Sequence, residues 1–168
     1  MWHKGYFQNF GYCFIKVSFY NNKYILSLFM EGNMEELLNK MALKELVDTF
    51  SNLADVKDVE KQSLLFSEDA MLISHRDGKV VSKQVGREAI KKACGNYLSL
   101  FETVYHMNGQ QVVEIHGDKA TGIAYCLVVL IKLDQTKLIQ GVRYEDQYIK
   151  IDGRWYIETR NSYFMWEN

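Results

Sequence analysis

Residues 102–164 carry the strongest structural signal in the chain, ETVYHMNGQQVVEIHGDKATGIAYCLVVLIKLDQTKLIQGVRYEDQYIKIDGRWYIETRNSYF. β-Branched and aromatic residues dominate four runs, and each of the first three runs ends at a short polar or glycine-bearing turn. The turns are Gly117-Asp118, Asp134-Gln135-Thr136 and Asp152-Gly153. The pattern therefore predicts an antiparallel meander with strands over residues 102–116, 119–133, 137–151 and 154–164.

The residues before this meander predict three helices and one hairpin. Strands at 70–75 and 80–84 flank Asp77-Gly78, a pair that favours a tight hairpin because both residues tolerate positive φ. A helix over 87–100 follows Gly86, and a shorter helix is predicted over 57–66. The first helix is predicted to begin at Met34, since apolar residues then recur at helical spacing. They are Leu37, Leu38, Met41, Leu46, Val47, Phe50 and Leu53.

This order of elements predicts an α+β fold over residues 34–168, a curved antiparallel sheet wrapped around N-terminal helices. Because such a sheet curls without closing, one end of the cone opens as a pocket. Gly109 lies in the middle of the first long strand, where a bulge or bend would supply the curvature.

Composition excludes several classes of function. Charge is nearly balanced at −1 with no basic stripe, so a nucleic-acid partner is not expected. No apolar stretch is long enough to span a bilayer, and no membrane partner is expected. Three widely spaced cysteines show no metal-ligand or disulfide pattern, which favours a reducing cytoplasm. Phosphate-binding loops and the common protease and hydrolase motifs are missing from the sequence.

Residues 1–33 differ in character from the rest of the chain. They hold ten aromatic residues and one acid, Glu31, with no clean helical or strand period. Phe, Tyr, Asn, Lys and Ile are what AT-rich DNA encodes, and the codons of residues 30–33 would place a purine-rich sequence just upstream of Met34. We expect residues 1–33 to be a leader read through by gene prediction, with translation starting at Met34. The alternative is a disordered, amphipathic or edge-strand extension.

Several short motifs, taken in chain order, resemble the SnoaL-like family of the nuclear-transport-factor-2-like superfamily. The matching pieces are LADVKD at 53–58 with LLFSEDA at 64–70, GREAI at 86–90, YH at 105–106, GDKAT at 117–121, GVRYED at 141–146, DGRWYI at 152–157 and Arg160. Relatives include polyketide cyclases, scytalone dehydratase and ketosteroid isomerases. The resemblance implies a cone-shaped, cystatin-like fold covering nearly all of 34–168.

The resemblance also implies a function. The family's pocket chemistry is proton transfer beside a carbonyl or hydroxyl in a largely apolar cavity, without metal or cofactor. A small apolar or aromatic ligand and a homodimer are therefore expected. A non-catalytic ligand-binding module and a dimeric interaction domain with a filled, vestigial pocket are the alternatives.

Two residues are the catalytic candidates. His106 matches the family's pocket histidine, and a near-neutral imidazole can move a proton or orient a substrate oxygen. Asp55 follows the first helix, where dehydratase-like members place a pocket carboxylate that acts as base or hydrogen-bond donor. A satisfied core histidine and an Asp55 that caps the next helix are the structural alternatives.

Four further residues are candidate ligand contacts. Asn108 and Gln110 share a side with His106 if the strand is regular, and Tyr125 could contribute a hydroxyl. Arg143 could fix a carboxylate or carbonyl inside the cone. The strand of residues 125–131 lacks the second histidine that dehydratase-like members carry, which argues against a dehydratase copy.

The remaining residues of interest are predicted to have structural roles. Asp146 and Arg160 are predicted to form an ion pair across the Asp152-Gly153 turn. Cys126 is expected to be inert packing within an apolar run. The core and a sheet-face dimer contact are expected to use Trp155, Tyr163, Phe164 and Trp166.

Overall fold

The computed structural model describes the backbone of residues 22–168 and the side-chain surroundings of residues 32–168. Three helices and six strands follow one another along this part of the chain. They are α1 (Asn22–Asp55), α2 (Val59–Ser63), β1 (Phe66–Arg76), β2 (Lys79–Val85), α3 (Arg87–Leu98), β3 (Phe101–His116), β4 (Lys119–Lys132), β5 (Lys137–Ile151) and β6 (Arg154–Glu167). The predicted order of elements is confirmed.

The first helix differs from its prediction in where it begins. α1 starts at Asn22 rather than Met34, because no proline interrupts this stretch and only Gly32 weakens it. The chain divides into two units after Glu35, and the second unit, Glu36–Asn168, contains all six strands. Residues 1–21 lie outside the described residues, so the leader proposed for residues 1–33 stays a prediction.

Burial on α1 begins later than the apolar stripe suggests. Leu37, Leu38 and Met41 are exposed, whereas Leu43 and Val47 are buried in the core. An apolar stripe at helical spacing marks the face of a helix that can be buried, but it does not show how far along the helix the rest of the protein covers that face.

None of the described helices has both the length and the apolar character needed to cross a membrane.

The six strands form one sheet in the order β2-β1-β6-β5-β4-β3. The meander and the β1–β2 hairpin pair antiparallel as predicted, but β1 and β6 pair parallel, so the sheet is mixed. The fold class is confirmed with that correction. Positive φ at Asp77, Gly78, Gly117 and Gly153 matches the predicted turns.

A bulge in β3 lies where Gly109 predicted one. Asn108 pairs with Cys126 and Gln111 pairs with Ala124, so two residues of β3 stand opposite Tyr125 alone. Such a bulge bends the strand and shifts the side-chain alternation by one residue. Residues Val104 and His106 face inward before the bulge, and Gln111 and Val113 take the inward positions after it.

Candidate functional site: an Asp–His pair at an apolar cavity

Asp55 and His106 are held together by three contacts. Asp55 is the last residue of α1, and His106 lies on the inward face of β3. Oδ1 of Asp55 is 2.6 Å from Nδ1 of His106 and accepts the backbone N–H of His106 at 3.0 Å. Oδ2 accepts the same N–H at 3.2 Å. The carboxylate therefore fixes both the backbone and the ring of the histidine.

The residue that caps α2 is not Asp55. Asp58 is the N-cap, and its Oδ1 accepts the backbone N–H of Lys61 at 3.1 Å. An aspartate at this position stabilises the first turn because it pairs an otherwise unbonded N–H. Asp55 is thus free of the capping role and binds His106 instead.

The environment of His106 favours a neutral ring. Burial lowers the pKa of His106 below its usual 6.5, although the Asp55 carboxylate pulls it upward. Since a carboxylate only accepts hydrogen bonds, the neutral ring donates Nδ1–H to Asp55 and leaves the lone pair on Nε2. Within residues 32–168, no group hydrogen-bonds to Nε2.

His106 lines a cavity of about 300 Å³ between the helices and the sheet. Most of its wall is apolar, with Phe50, Leu72, Leu98, Val128, Leu130 and Phe164 among the lining residues. The polar residues in this wall, besides His106, are three serines, Arg76, Gln84, Gln140, Tyr97 and Tyr144. A largely apolar cavity with a few polar groups is typical of a small-molecule site.

One rim of the cavity is a hydrogen-bonded network. Arg76 forms an ion pair with Glu167 and lies 4.7 Å from the centre of the Phe164 ring. Gln140 donates Nε2–H to Glu167 at 3.0 Å, and its Oε1 is 3.5 Å from the Tyr97 hydroxyl. Arg76 lowers the pKa of Glu167, so this carboxylate is ionised at neutral pH.

A buried ion pair lies beside the cavity, as predicted. Arg160 donates Nε–H and Nη2–H to the two oxygens of Asp146 at 2.9 and 2.6 Å, and Tyr148 donates its hydroxyl to Oδ2 at 2.7 Å. The Arg160 guanidinium lies 4.3 Å from the ring centres of both Phe50 and Tyr144, which line the cavity. Its Nη1 has no partner among the described residues.

The other predicted ligand contacts lie elsewhere. Asn108 faces inward but binds α1, with Nδ2 donating to the Val47 carbonyl and to Asp48. Gln110 is exposed because the bulge turns it away from the side of His106. Tyr125 is also exposed and does not line the cavity.

Arg143 stands on the outer face of the sheet. It forms an ion pair with Glu145 and lies 5.5 Å from the centre of the Tyr163 ring. Alternation along β5 puts Arg143 opposite in direction to Tyr144, which lines the cavity. The structure therefore does not bring Arg143 to His106.

The aromatic residues of β6 divide between the two faces. Trp155 is buried in the core, and Phe164 lines the cavity. Tyr163 stacks on His75 at 4.3 Å, and exposed Trp166 lies over Gly141.

The two described cysteines are free and protonated. Burial raises the pKa of Cys94 to about 11 and that of Cys126 to about 12. Thiols of this kind are poor nucleophiles, which agrees with the expectation that Cys126 is packing. Within residues 32–168, no group of three His, Cys, Asp or Glu side chains is arranged to hold a metal ion.

Sequence reasoning missed most of the polar cavity groups. Ser74, Ser82, Ser162, Arg76 and Gln140 line the cavity but were not among the candidates. The available signal was the alternation of side chains along a strand, because Ser74 is two residues from Leu72 and Ser162 is two residues from Arg160. To use this signal, one must know which face of β1 and of β6 is buried, and that depends on the parallel pairing of the two strands.

The chain matches the sequence profile of the SnoaL-like domain over residues 35–161. It belongs to the SnoaL-like domain family. No curated protein sequence matches the chain.

Solved structures share the SnoaL-like architecture. A candidate scytalone dehydratase from Novosphingobium aromaticivorans is similar with a TM-score of 0.71 and 21% identity, over 79% of this chain and 88% of that one. The hexachlorocyclohexane dehydrochlorinase LinA-type3 from Novosphingobium barchaimii has a TM-score of 0.71 and 16% identity, over 81% and 92%. An NTF2-like protein with a cystatin-like fold from N. aromaticivorans has a TM-score of 0.67 and 21% identity, over 81% and 88%. At these identities the likeness shows the fold alone.

Proposed function

We propose that this SnoaL-like domain binds a small hydrophobic carbonyl or hydroxyl compound and catalyses proton transfer on it, as an isomerase, cyclase or dehydratase. The observation that carries the proposal is the 2.6 Å contact between Asp55 and Nδ1 of His106, with His106 lining the cavity. The relatives named as a dehydratase and a dehydrochlorinase support the same class of chemistry.

In this mechanism Nε2 of His106 is the general base. It takes a proton from the carbon beside the substrate carbonyl, so that the C–H bond breaks, an N–H bond forms and the electron pair moves to the oxygen as an enolate. The Asp55 carboxylate stabilises the imidazolium and keeps the ring oriented. Return of the proton to another carbon gives isomerisation, and return to a departing hydroxyl gives dehydration.

A specific observation favours a second candidate, a binding module without turnover. Val128 lies directly opposite His106 on β4 and is buried, so that strand adds no second acid or base beside His106. An interaction domain with a filled pocket is a weaker candidate, because the cavity of about 300 Å³ is open.

His106→Ala separates catalysis from binding. A thermal-shift screen against hydroxylated aromatics, steroids and polyketide-like ketones comes first, and each ketone hit is then incubated with protein in D₂O. We expect exchange of the α-proton, followed by NMR, to fall about 10²- to 10⁴-fold in His106→Ala because the base is removed.

His116→Ala is the matched control, since it makes the same change at an exposed position of the same strand. It is expected to exchange the proton at the wild-type rate. Ketones that bind wild-type protein without faster exchange would support the binding module. No ketone hit at all would count against both candidates.

We also propose that the outer face of the sheet forms a homodimer with a second copy of the chain. Adjacent strands β3 and β4 expose five large apolar side chains, Tyr105, Met107, Val112, Ile123 and Tyr125. An apolar patch of this kind is typical of a protein interface, and a twofold dimer is the commonest assembly.

A charge placed on this face should separate the copies. Met107→Glu is expected to shift the sedimentation coefficient from dimer to monomer, because an unpaired carboxylate would be buried in the interface. Leu133→Glu changes an exposed residue in the turn that follows β4; it is the control and should stay dimeric. A monomeric wild-type protein would refute the proposal.

We also propose that the protein is located in the cytoplasm. The free thiols of Cys94 and Cys126 support it, because such thiols persist most readily in a reducing compartment.

A further inference from the structure

Three serines form a row across three neighbouring strands. Ser74 of β1 pairs with Ser82 of β2 on one side and with Ser162 of β6 on the other. Adjacent strands are about 4.8 Å apart, so residues paired in this way stand side by side on one face. All three serines line the cavity that His106 also lines.

The hydroxyls of this serine row are available to a ligand. Ser82 accepts Nε2–H of Gln84 at 3.2 Å, which leaves its own O–H to donate. The side-chain hydroxyls of Ser74 and Ser162 have no hydrogen-bond partner within residues 32–168, and Ser162 is only 6% exposed. A hydroxyl in an apolar wall is costly unless it is hydrogen-bonded, so an oxygen in the cavity is the fitting partner.

The serine row and His106 stand on different walls. β2, β1 and β6 form one half of the sheet, whereas β3 is the edge strand of the other half. Since residues of both halves line one cavity, a single ligand can reach both. A compound engaged at His106 would therefore present its far end to the serine row.

Charge indicates a neutral ligand. Arg76 is the one Lys or Arg among the described residues that line the cavity, and its guanidinium is paired with Glu167. The serine hydroxyls both donate and accept, so they bind a hydroxyl or a carbonyl without requiring a charge. The wall therefore lacks the unpaired cation that a carboxylate ligand would need.

We propose that Ser74 and Ser162, whose hydroxyls have no partner among the described residues, bind a second oxygen substituent of a neutral ligand whose reacting carbonyl lies at His106. The inference rests on the proposed function for the identity of the reacting end. The ligand therefore carries a hydroxyl or carbonyl at its end away from His106, and this oxygen sets affinity and orientation.

The test compares two ring ketones that differ by one hydroxyl, 1-tetralone and 6-hydroxy-1-tetralone. Isothermal titration calorimetry measures their dissociation constants with wild-type protein, Ser74→Ala/Ser162→Ala and the surface control Ser99→Ala. We expect the hydroxyl to improve affinity about 3- to 10-fold in wild type and in the control, the range of one hydrogen bond. In Ser74→Ala/Ser162→Ala the two ketones should bind equally.

The melting temperature is the control for folding. The double variant is expected to melt at the wild-type temperature, because neither the Ser74 nor the Ser162 hydroxyl loses a protein partner on substitution. An affinity ratio that stays above 3 in the double variant would overturn the proposal, as would failure of both ketones to bind. Tighter binding of 1-tetralone-6-carboxylic acid would replace it with an anion site.

The outcome is separable from the proposed function. The affinity ratio should persist in His106→Ala, whose defect is in α-proton exchange in D₂O. If exchange is absent but the ratio depends on the serines, the catalytic proposal fails and the serine row stands.

Discussion

Asp146→Ala is expected to lower the free energy of unfolding by about 3–5 kcal/mol, because it leaves the charge of Arg160 buried and unpaired. Both side chains are almost fully buried, with 0% of Arg160 and 1% of Asp146 exposed. The carboxylate accepts two hydrogen bonds from Arg160 and one from Tyr148. Its removal therefore leaves two donors of the guanidinium without an acceptor, beside an Nη1 that already lacks one.

Urea denaturation followed by circular dichroism measures the effect. Glu145→Ala is the matched control on the same strand, since Glu145 pairs with Arg143 on the outer face, where both are about a third exposed. A surface pair of that kind contributes about 1 kcal/mol or less.

Asp146→Leu/Arg160→Met removes both charges, and we expect it to recover most of the stability lost in Asp146→Ala. A loss below about 1 kcal/mol in Asp146→Ala would contradict the assignment, since it would mean that water reaches Arg160.

The same substitution should disturb the cavity. The Arg160 guanidinium lies between Phe50 and Tyr144, whose rings line the cavity wall. Released from Asp146, the guanidinium would move toward any oxygen that accepts its N–H groups. The ion pair is thus a structural support for the wall that a ligand contacts.

The ion pair depends on a turn and on a bulge. The turn Asp152-Gly153 has positive φ at both residues, and its short length fixes the pairing of β5 with β6 as far as Tyr148 and Ile157. Continued without a break, this register would place Asp146 opposite Thr159. A register shift at Glu158 instead brings Arg160 directly opposite Asp146. Turn chemistry therefore predicted the neighbourhood of the pair, and the bulge decided the partner.

The inner and outer faces of β3 were harder to predict. The bulge was foreseen at Gly109, yet Gln110 was still placed on the side of His106, as in a regular strand. One inserted residue reverses every later assignment, so Gln111 took the inward position and donates Nε2–H to the Leu43 carbonyl. When a bulge is predicted, the face of the sheet assigned to every later residue of that strand must therefore be reversed.

The serine row was out of reach for a different reason. Its alignment depends on the parallel pairing of β1 with β6, which joins segments that are far apart in the chain. No turn connects these strands, so no local signal fixes their register. Asp55 and His106 also meet only through tertiary structure, and the resemblance to the SnoaL-like family was what named them in advance.

Asp55→Asn is expected to lower the proton-transfer rate by about 10²- to 10⁴-fold while the protein stays folded. The amide oxygen can still accept both the backbone N–H and Nδ1–H of His106, as Oδ1 of the carboxylate does, which holds β3 in place. A neutral amide does not stabilise the imidazolium that forms when Nε2 takes the proton, so the rate falls. In the flipped orientation, an amide N–H facing Nδ1 would force the proton onto Nε2, and His106 would have no lone pair toward the substrate.

The pH dependence gives an independent readout of the same variant. A general base works only when neutral, so the rate rises with pH through the pKa of His106. The Asp55 carboxylate raises that pKa, against the larger lowering effect of burial. Without the carboxylate the acidic limb of the profile should move to lower pH, while the plateau falls.

Rates of α-proton exchange across pH 4–8, measured by NMR on a ketone that wild-type protein turns over, test both effects. Asp58→Asn is the control, because Asp58 caps α2 and does not contact His106. A plateau equal to wild type in Asp55→Asn would show that Asp55 only holds the backbone of β3. A lowered plateau with an unmoved acidic limb would assign the titrating base to a group other than His106.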